Sequence, residues 1–319
     1  MKAMAQASWA QGEPLRWIEL PDPEPRGREL RVRVQAIGVN PVDWKMRARG
    51  PLRLAARLIG PPPPVVFGVD FAGIVDAVGP NVTGIHVGDA VVGGTDFSRK
   101  QRGSYADTVL VREDQVTTLP AGFDMRVAGA LPVAGVTAYM CVLEVGRLQP
   151  GQRALILGAS GGVGQLAVQF ARHGGGSAVG VCSTRNLELV RGLGAEHVID
   201  YTLGDPLAQA RALGPFQVVV DCVGGHAGSA CRALLGPGGR HIMIAAETFG
   251  ETMNVLVPPF RSRSVLGRAN TTRLRAVVDA VASGAVAVRI AETLPLAEAE
   301  RALELSKAGR LTGKLVLIP

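Results

Sequence analysis

The sequence of 319 residues is poor in cysteine, in aromatic side chains and in long apolar runs, and each shortage excludes a class of protein. Four cysteines without a close pair indicate reduced thiols rather than a disulfide framework. No apolar run approaches the roughly 20 residues that a membrane-spanning helix needs. The N-terminus also lacks the apolar segment of a secretory signal. We therefore expect a cytoplasmic protein that does not use a membrane.

Dense basic tracts interleaved with aromatics are lacking too, although the formal net charge is +7. Aromatic residues make up only 4% of the chain and the arginines are scattered, so a nucleic acid is not the expected partner. The basic run Arg99–Arg102 is interpreted as a solvated loop. Attraction of an anionic substrate is the alternative for that run.

A glycine-rich turn between an apolar strand and a helical pattern organises the rest of the chain. The run Ala154–Leu157 leads into Gly161 and Gly164, the last two glycines of a G-x-G-x-x-G pattern in which Ala159 replaces the first. Glycines let a pyrophosphate approach the backbone, and the free N–H groups of the helix start point at it. The turn predicts a dinucleotide site, with an ordinary strand–helix connection as the alternative.

Short strands separated by glycine-rich turns are predicted before this motif, which indicates a small barrel-like β domain. The predicted strands are Glu29–Ile37, Phe67–Val78, Ala90–Val92 and Tyr105–Val111. After Arg126, helices alternate with apolar strands, the pattern of a parallel sheet. The strands predicted there are Ala154–Leu157, Ala178–Cys182, His197–Ile199, Gln217–Asp221 and Arg240–Ile244. The helices are Gly162–Arg172, Leu187–Leu193, Pro206–Leu213 and Gly228–Leu235.

The end of the chain is predicted to return to the first domain. Its predicted elements are helices Thr272–Ala282 and Leu296–Ala308 and strand Lys314–Ile318. The sequence thus predicts an α/β protein in which residues 1–122 and 266–319 form one domain and residues 123–265 the other.

Several motifs in a fixed order carry a family resemblance. They are Gly68-x-Asp70-x-x-Gly73-x-Val75-x-x-x-Gly79, Leu131–Tyr139, the glycine turn, Gly192–Tyr201 and Gly313–Ile318. Together they resemble the medium-chain dehydrogenase/reductase superfamily over nearly the whole chain. The resemblance implies a GroES-like β-barrel-type catalytic domain, split in sequence, and a doubly wound Rossmann domain. It also implies an active site in the cleft between the two domains.

The chain departs from the zinc alcohol dehydrogenases of that superfamily at their metal ligands. The matching positions are Asn40, Val69 and Val133, and valine has no donor atom. No metal is therefore expected. The segments N-P-V-D and G-V-D-F-A-G resemble the zinc-free quinone oxidoreductase branch, which is zeta-crystallin-like.

That branch implies NADPH-dependent reduction of quinones or α,β-unsaturated carbonyls by hydride transfer. An enone reductase without quinone activity is the close alternative. A nucleic-acid-binding protein and an NADPH sensor are the others. The resemblance also implies a homodimer, for which 245–257 is a candidate interface.

The resemblance also implies the residues of the site, each at the position of this sequence that matches a motif of the family. Asn40 and Asp43 are the candidate catalytic residues, Asn40 as a hydrogen-bond partner of cofactor or substrate and Asp43 chiefly as the residue that holds its loop. Solvent is expected to supply the proton. The candidate cofactor contacts are Asn40, Thr137, Ser160, Gly161, Gly162, Val163, Gly164, Ser183, Thr184, Arg185, Tyr201, Cys222, Val223, Ala245 and Asn270.

Cofactor choice rests on the end of the second Rossmann strand. An NAD-preferring domain places an acid there for the ribose 2′-OH. The strand ends instead in Ser183, Thr184 and Arg185, which offer hydroxyls and a guanidinium to a 2′-phosphate. The sequence therefore predicts NADPH, with use of either cofactor as the alternative.

Overall fold

The computed structural model describes residues 1–48, 50–226, 228–244, 262–265 and 267–319. They form two compact units. Unit 1 comprises Met1–Val136, Arg268–Ala282 and Ile290–Pro319, and unit 2 comprises Thr137–Gly267 and Ser283–Arg289. None of the helices described is long and apolar enough to cross a membrane.

The strands and helices are numbered in chain order. The strands are β1 (Lys2–Gln6), β2 (Arg16–Glu19), β3 (Glu29–Val39), β4 (Val65–Val66), β5 (Asp70–Val78), β6 (Ala90–Gly94), β7 (Thr108–Arg112), β8 (Val116–Thr118), β9 (Arg153–Leu157), β10 (Ser177–Cys182), β11 (His197–Asp200), β12 (Phe216–Asp221), β13 (Leu235–Met243), β14 (Arg263–Ser264), β15 (Ile290–Pro295) and β16 (Lys314–Ile318). The α-helices are α1 (Pro41–Lys45), α2 (Pro51–Ile59), α3 (Met125–Gly129), α4 (Pro132–Tyr139), α5 (Gly164–His173), α6 (Leu187–Gly192), α7 (Pro206–Arg211), α8 (Gly228–Arg232), α9 (Thr271–Ala282) and α10 (Ala299–Lys307).

Unit 1 is built on a seven-stranded sheet and a three-stranded sheet. The larger sheet has the order β15-β16-β3-β5-β6-β8, with β7 also paired to β3, and the smaller has the order β2-β1-β4. Alternate residues of β3 point into one apolar core, as the period-two pattern of this segment predicts. The last strand lies antiparallel to β3, with Leu315 opposite Val39. This register brings the start of β16 next to Asn40.

Unit 2 is a six-stranded parallel sheet in the order β11-β10-β9-β12-β13-β14. This is the order of a doubly wound Rossmann sheet, and it confirms the predicted fold class. Because all six strands run in one direction, the loops after their carboxyl ends lie along the same edge of the sheet.

Several predicted elements differ in their bounds from those observed. Strand Tyr105–Val111 begins only at Thr108, and strand Arg240–Ile244 is the end of β13, which begins at Leu235. Strand Phe67–Val78 begins only at Asp70, because Gly68 has a φ of +94° and its backbone packs so closely that a Cβ there would lie 2.3 Å from the Tyr105 ring. Helix Gly228–Leu235 ends at Arg232, since Leu235 pairs with Phe216 and begins β13.

Long-range hydrogen bonds hold two segments that lie close to the predicted domain boundaries. Residues 123–136 lie in unit 1, where the Val133 N–H donates to Asp70 Oδ1 at 2.9 Å. Residues 283–289 lie in unit 2, where Ala287 and Arg289 exchange hydrogen bonds with Gln169 and Gln165 of α5.

Candidate functional site

The glycine turn between β9 and α5 has the backbone that a dinucleotide requires. Gly158 has a φ of +77°, and a Cβ on Gly164 would lie 2.1 Å from Gly158 O. A Cβ on Gly161 would meet nothing closer than 3.4 Å, so its backbone is open to a ligand. The sequence interpretation missed Gly158, although its place directly after an apolar strand was a usable signal. These features fit a pyrophosphate at the start of α5.

The carboxyl edge of the unit 2 sheet gathers most of the predicted cofactor contacts. Those that follow β9, β10, β11 or β12 are Ser160, Gly161, Gly162, Val163, Gly164, Ser183, Thr184, Arg185, Tyr201, Cys222 and Val223. Asn186 links two of these loops, because its Nδ2 donates to Ser160 Oγ at 2.9 Å. Adjacent strands thus bring together residues that are up to 63 positions apart in the chain.

The carboxylate of Asp200, which was not among the predicted cofactor contacts, lies beside Thr184. Thr184 Oγ1 donates to Asp200 Oδ2 at 2.6 Å, and Thr202 Oγ1 donates to Asp200 Oδ1 at 2.7 Å. The two threonine oxygens are 2.8 Å apart. The hydrogen bond from Thr184, then that from Thr202, lowers the pKa of Asp200, so the carboxylate is charged at neutral pH. The register pair Cys182–Asp200 accounts for this proximity.

The loop after β12 is held by its own carboxylate. Asp221 Oδ1 accepts hydrogen bonds from the backbone N–H groups of Val223 and Gly224 at 3.0 and 2.9 Å. Val223 is exposed, and burial raises the pKa of the Cys222 thiol well above its ordinary value. Thr137, a predicted contact on α4, is buried.

In unit 1 the Asn40 side chain is buried and engaged on both sides of its amide. Its Nδ2 donates to Asp70 Oδ2 at 2.8 Å and to Gly38 O at 3.3 Å. Its Oδ1 accepts from Lys314 Nζ at 2.5 Å, and Lys314 also donates to Val39 O at 2.9 Å. Both N–H groups of the amide are therefore used, and one lone pair on Oδ1 remains for a ligand.

Lys314 and Asp70 form a buried ion pair, with Nζ 3.8 Å from Asp70 Oδ2. Burial raises the pKa of Asp70 to about 6, against the opposing effect of the Lys314 charge. Burial likewise lowers the pKa of Lys314, and Asp70 opposes that shift. The sequence interpretation quoted both residues as motif positions and gave neither a role, although a lysine at the start of an apolar strand is a signal of a buried partner.

Asp43 occupies the first turn of α1 and is fully buried. Its Oδ2 accepts from the Asn40 N–H at 2.8 Å and from the Tyr105 hydroxyl at 3.2 Å, while Oδ1 has no hydrogen-bond partner among the described residues. Burial raises the pKa of Asp43 to about 7. The contacts are those of a residue that holds the Asn40 loop.

The last two predicted contacts are Asn270 and Ala245. Asn270 Oδ1 accepts from the Arg273 N–H at 2.8 Å and caps the start of α9. Ala245 lies outside the described residues, as does the candidate dimer segment 245–257.

The positions that hold zinc in alcohol dehydrogenases do not fit a metal here. Val69 and Val133 carry no donor atom, and the Asn40 amide already binds the ammonium of Lys314, whose charge repels a divalent cation. Elsewhere in the described chain, the ligand atoms of Asp221, Cys231 and His241 lie within 4.8 Å of one another in unit 2.

Comparisons with known proteins match both halves of the chain. The family described as "Alcohol dehydrogenase GroES-like domain" matches residues 26–121, and that described as "Zinc-binding dehydrogenase" matches residues 193–317. A chloroplast envelope quinone oxidoreductase homolog of Arabidopsis thaliana is 31% identical, over 96% of this chain and 94% of that protein. A mitochondrial NAD(P)H oxidoreductase of Mus musculus is 36% identical, over 62% of this chain and 52% of that protein. The structure of the quinone oxidoreductase from Coxiella burnetii has a TM-score of 0.88 at 29% identity, covering 100% of this chain and 99% of that one.

These similarities extend over both units and agree with the glycine turn of the Rossmann sheet. They show an oxidoreductase of the medium-chain reductase type with a nicotinamide cofactor. The chain belongs to the medium-chain dehydrogenase/reductase superfamily, in its zinc-free quinone oxidoreductase branch.

Proposed function

We propose that this protein is a zinc-independent, NADPH-dependent reductase of quinones or α,β-unsaturated carbonyls. The observation that carries the proposal is the Lys314–Asn40–Asp70 cluster, in which the ammonium of Lys314 binds the side chain at a position that matches a zinc ligand of the alcohol dehydrogenases. An alcohol substrate needs a Lewis acid on its oxygen, whereas a quinone or enone is already an electrophile. The residues at this position therefore favour acceptors that need no metal.

The chemistry divides between the cofactor and the chain. The bound nicotinamide supplies a hydride. Gly158, Gly161 and Gly164 would hold the pyrophosphate, and the remaining Oδ1 lone pair of Asn40 would accept a hydrogen bond from cofactor or substrate. Asp43 holds the Asn40 loop through the Asn40 N–H. We assign the proton to solvent, because Asp43 and Tyr105 are fully buried. Positioning of the acceptor accounts for much of the catalysis.

NADPH is the proposed cofactor because of the loop after β10. Arg185 is exposed there, and Ser183 and Tyr201 carry hydroxyls. Thr184 does not add a donor, since its proton is directed at Asp200. The proposed phosphate contact is therefore chiefly the guanidinium of Arg185.

A substrate panel tests the proposal. NADPH oxidation would be followed by its near-ultraviolet absorbance with quinones, enals and enones, and NADP⁺ reduction with simple alcohols. We expect quinone or C=C reduction and negligible alcohol oxidation. Activity on enones alone would favour the enone reductase. Inactivity on the whole panel, with NADPH still bound, would favour a sensor and overturn the proposal.

A pair of glycine variants connects that activity to the turn. Gly164→Ala places a Cβ 2.1 Å from a backbone oxygen and should abolish cofactor binding, whereas a Cβ on Gly192 meets nothing within 4 Å. Gly192→Ala is therefore the matched control. Equal activity of the two variants would show that the measured reaction does not use this turn.

A further inference from the structure

Helix α2 in unit 1 exposes an apolar ridge. Leu54 and Leu58 are separated by one helical turn and are 59% and 73% exposed, and Ile59 beside them is 49% exposed. With 3.6 residues per turn, the two leucines lie on the side of the helix opposite Ala56, which is buried. Four of the large exposed apolar residues of the described chain, including Leu52, belong to this one helix.

The helix is anchored so that this ridge stays outside. The Arg53 guanidinium donates to Trp9 O, and the Trp9 ring packs edge-on against Phe67 with centroids 5.9 Å apart. Phe97 stacks on the other side of this cluster, and its turn (97–99) packs against α2. Rotating the leucines inward would break these contacts.

The segments that carry and contact the ridge are rich in basic residues. Between Asp43 and Asp70 the sequence has five basic residues and no acid, and residues 97–106 add three basic residues and no acid. Arg47 and Arg99 are paired with Glu300 and Asp114. Within the described chain, no ion pair reaches the exposed side chains of Arg57, Lys100 and Arg102. We call α2 together with residues 97–102 the α2 surface.

We propose that the α2 surface docks on an anionic lipid bilayer. A helix with an apolar ridge flanked by cations lies in the membrane interface, with its apolar side chains below the headgroups. The finding that no described helix could cross a membrane does not bear on this mode of binding. A second copy of the chain fits less well, because two α2 surfaces would bring like charges together. A nucleic acid also fits less well, because its charged phosphates would lie against the apolar side chains of Leu54 and Leu58. The proposal is independent of the proposed substrate.

Vesicle flotation of the 319-residue chain tests this proposal. The probes are phosphatidylcholine vesicles with and without phosphatidylglycerol, at low and high salt. We expect binding only to the anionic vesicles, weakened by salt. Leu54→Gln/Leu58→Gln should weaken binding at least tenfold. Lys100→Gln/Arg102→Gln should weaken it by about 10- to 30-fold at low salt.

Matched variants separate this surface from general charge. Leu203→Gln removes another exposed leucine, and Arg211→Gln/Lys307→Gln removes the same charge elsewhere, so both should bind like the wild type. Failure to float with anionic vesicles would overturn the proposal, as would full binding by the leucine variant. A change of oligomer mass in that variant, measured by light scattering, would assign the ridge to a second copy instead. RNA could also displace the protein from the vesicles. If this competition is lost in the Lys100→Gln/Arg102→Gln variant and kept in the leucine variant, the surface binds a nucleic acid and the proposal is overturned.

Discussion

Thr184 Oγ1 donates its only proton to Asp200 Oδ2 across 2.6 Å. The hydroxyl therefore presents only lone pairs to a ligand, and these accept from a ribose 2′-OH but repel a phosphate oxygen. Thr202 is engaged with the same carboxylate. We therefore propose opposing preferences in the loop after β10, in which Arg185 would favour NADPH and Asp200 with its two threonines would favour NADH.

Asp200→Asn should shift this balance towards NADPH. The substitution removes the negative charge. Each carboxylate oxygen of Asp200 accepts from one threonine hydroxyl, whereas an amide has only one oxygen, so one threonine hydroxyl becomes free to donate to a ligand. We expect the Kd of NADPH to fall by about fivefold, with little change for NADH. Cofactor fluorescence titration without substrate measures both, so the result does not depend on the acceptor. Asp205→Asn, an exposed acid at the start of α7, is the control. An unchanged ratio of the two Kd values would rule out this role for Asp200.

Arg185→Ala should have the opposite effect. A charge-assisted hydrogen bond contributes roughly 1.5–3 kcal/mol, so NADPH binding should weaken by about 10- to 100-fold. NADH has no 2′-phosphate and should bind almost unchanged. The measurement is kcat/KM for both cofactors, with the exposed Arg191→Ala as control. Equal losses for the two cofactors, or a wild type that prefers NADH, would contradict the assignment of this loop.

Lys314→Met should destabilise unit 1. Removing one partner of a buried ion pair leaves the other charge uncompensated, at a cost of about 3–5 kcal/mol. Urea denaturation measures the loss. The double variant Lys314→Met/Asp70→Asn should recover part of it, because no buried charge remains. A double variant no more stable than Lys314→Met would show that the hydrogen bonds to Val39 and Asn40, rather than the charge, matter.

Asp43 should make the protein less stable as the pH rises from about 4 to about 7. The pKa of its carboxyl is raised to about 7 in the fold, so the folded chain holds this proton while the unfolded chain loses it. The loss reaches a plateau above pH 7. The charged and titratable groups around Asp43 are Asp70, Lys314 and Tyr105.

Asp43→Asn should flatten that pH dependence, since the amide oxygen can still accept from Asn40 and Tyr105. The gain relative to the wild type should appear above pH 7 and amount to no more than roughly 4 kcal/mol. Thermal unfolding at several pH values measures it, with exposed Asp279→Asn as control. Parallel pH profiles for wild type and Asp43→Asn would contradict the raised pKa.

Chelation of metal should leave the reductase activity unchanged. The zinc positions of the family are Asn40, Val69 and Val133, and the first is occupied by the Lys314 ammonium. We expect no stoichiometric zinc by elemental analysis and full activity in EDTA. A content of about one zinc per chain, with activity lost when the zinc is removed, would contradict the zinc-independent mechanism.

Several features of this protein were predictable from the sequence because their causes are local. The periodicity of apolar residues identified five of the six parallel strands of unit 2, and backbone sterics required glycine at the turn before α5. The presence of Arg185 and the absence of an acid directly after β10 were likewise evident from consecutive residues of the sequence. The wrong end of the helix Gly228–Leu235 shows the limit, since pairing with a distant strand ended it.

Only the tertiary structure decided which polar side chains form hydrogen bonds with one another. Lys314 meets Asn40 across 274 positions of the chain, and Thr184 meets Asp200 because β10 and β11 are neighbours in register. A side chain's hydrogen-bonding capacity depends on the partners that folding brings to it, and the residue type alone does not reveal them. The sequence therefore singled out Asn40 and Thr184 as candidate site residues, and the fold determined which of their hydrogen-bonding groups remain for a ligand.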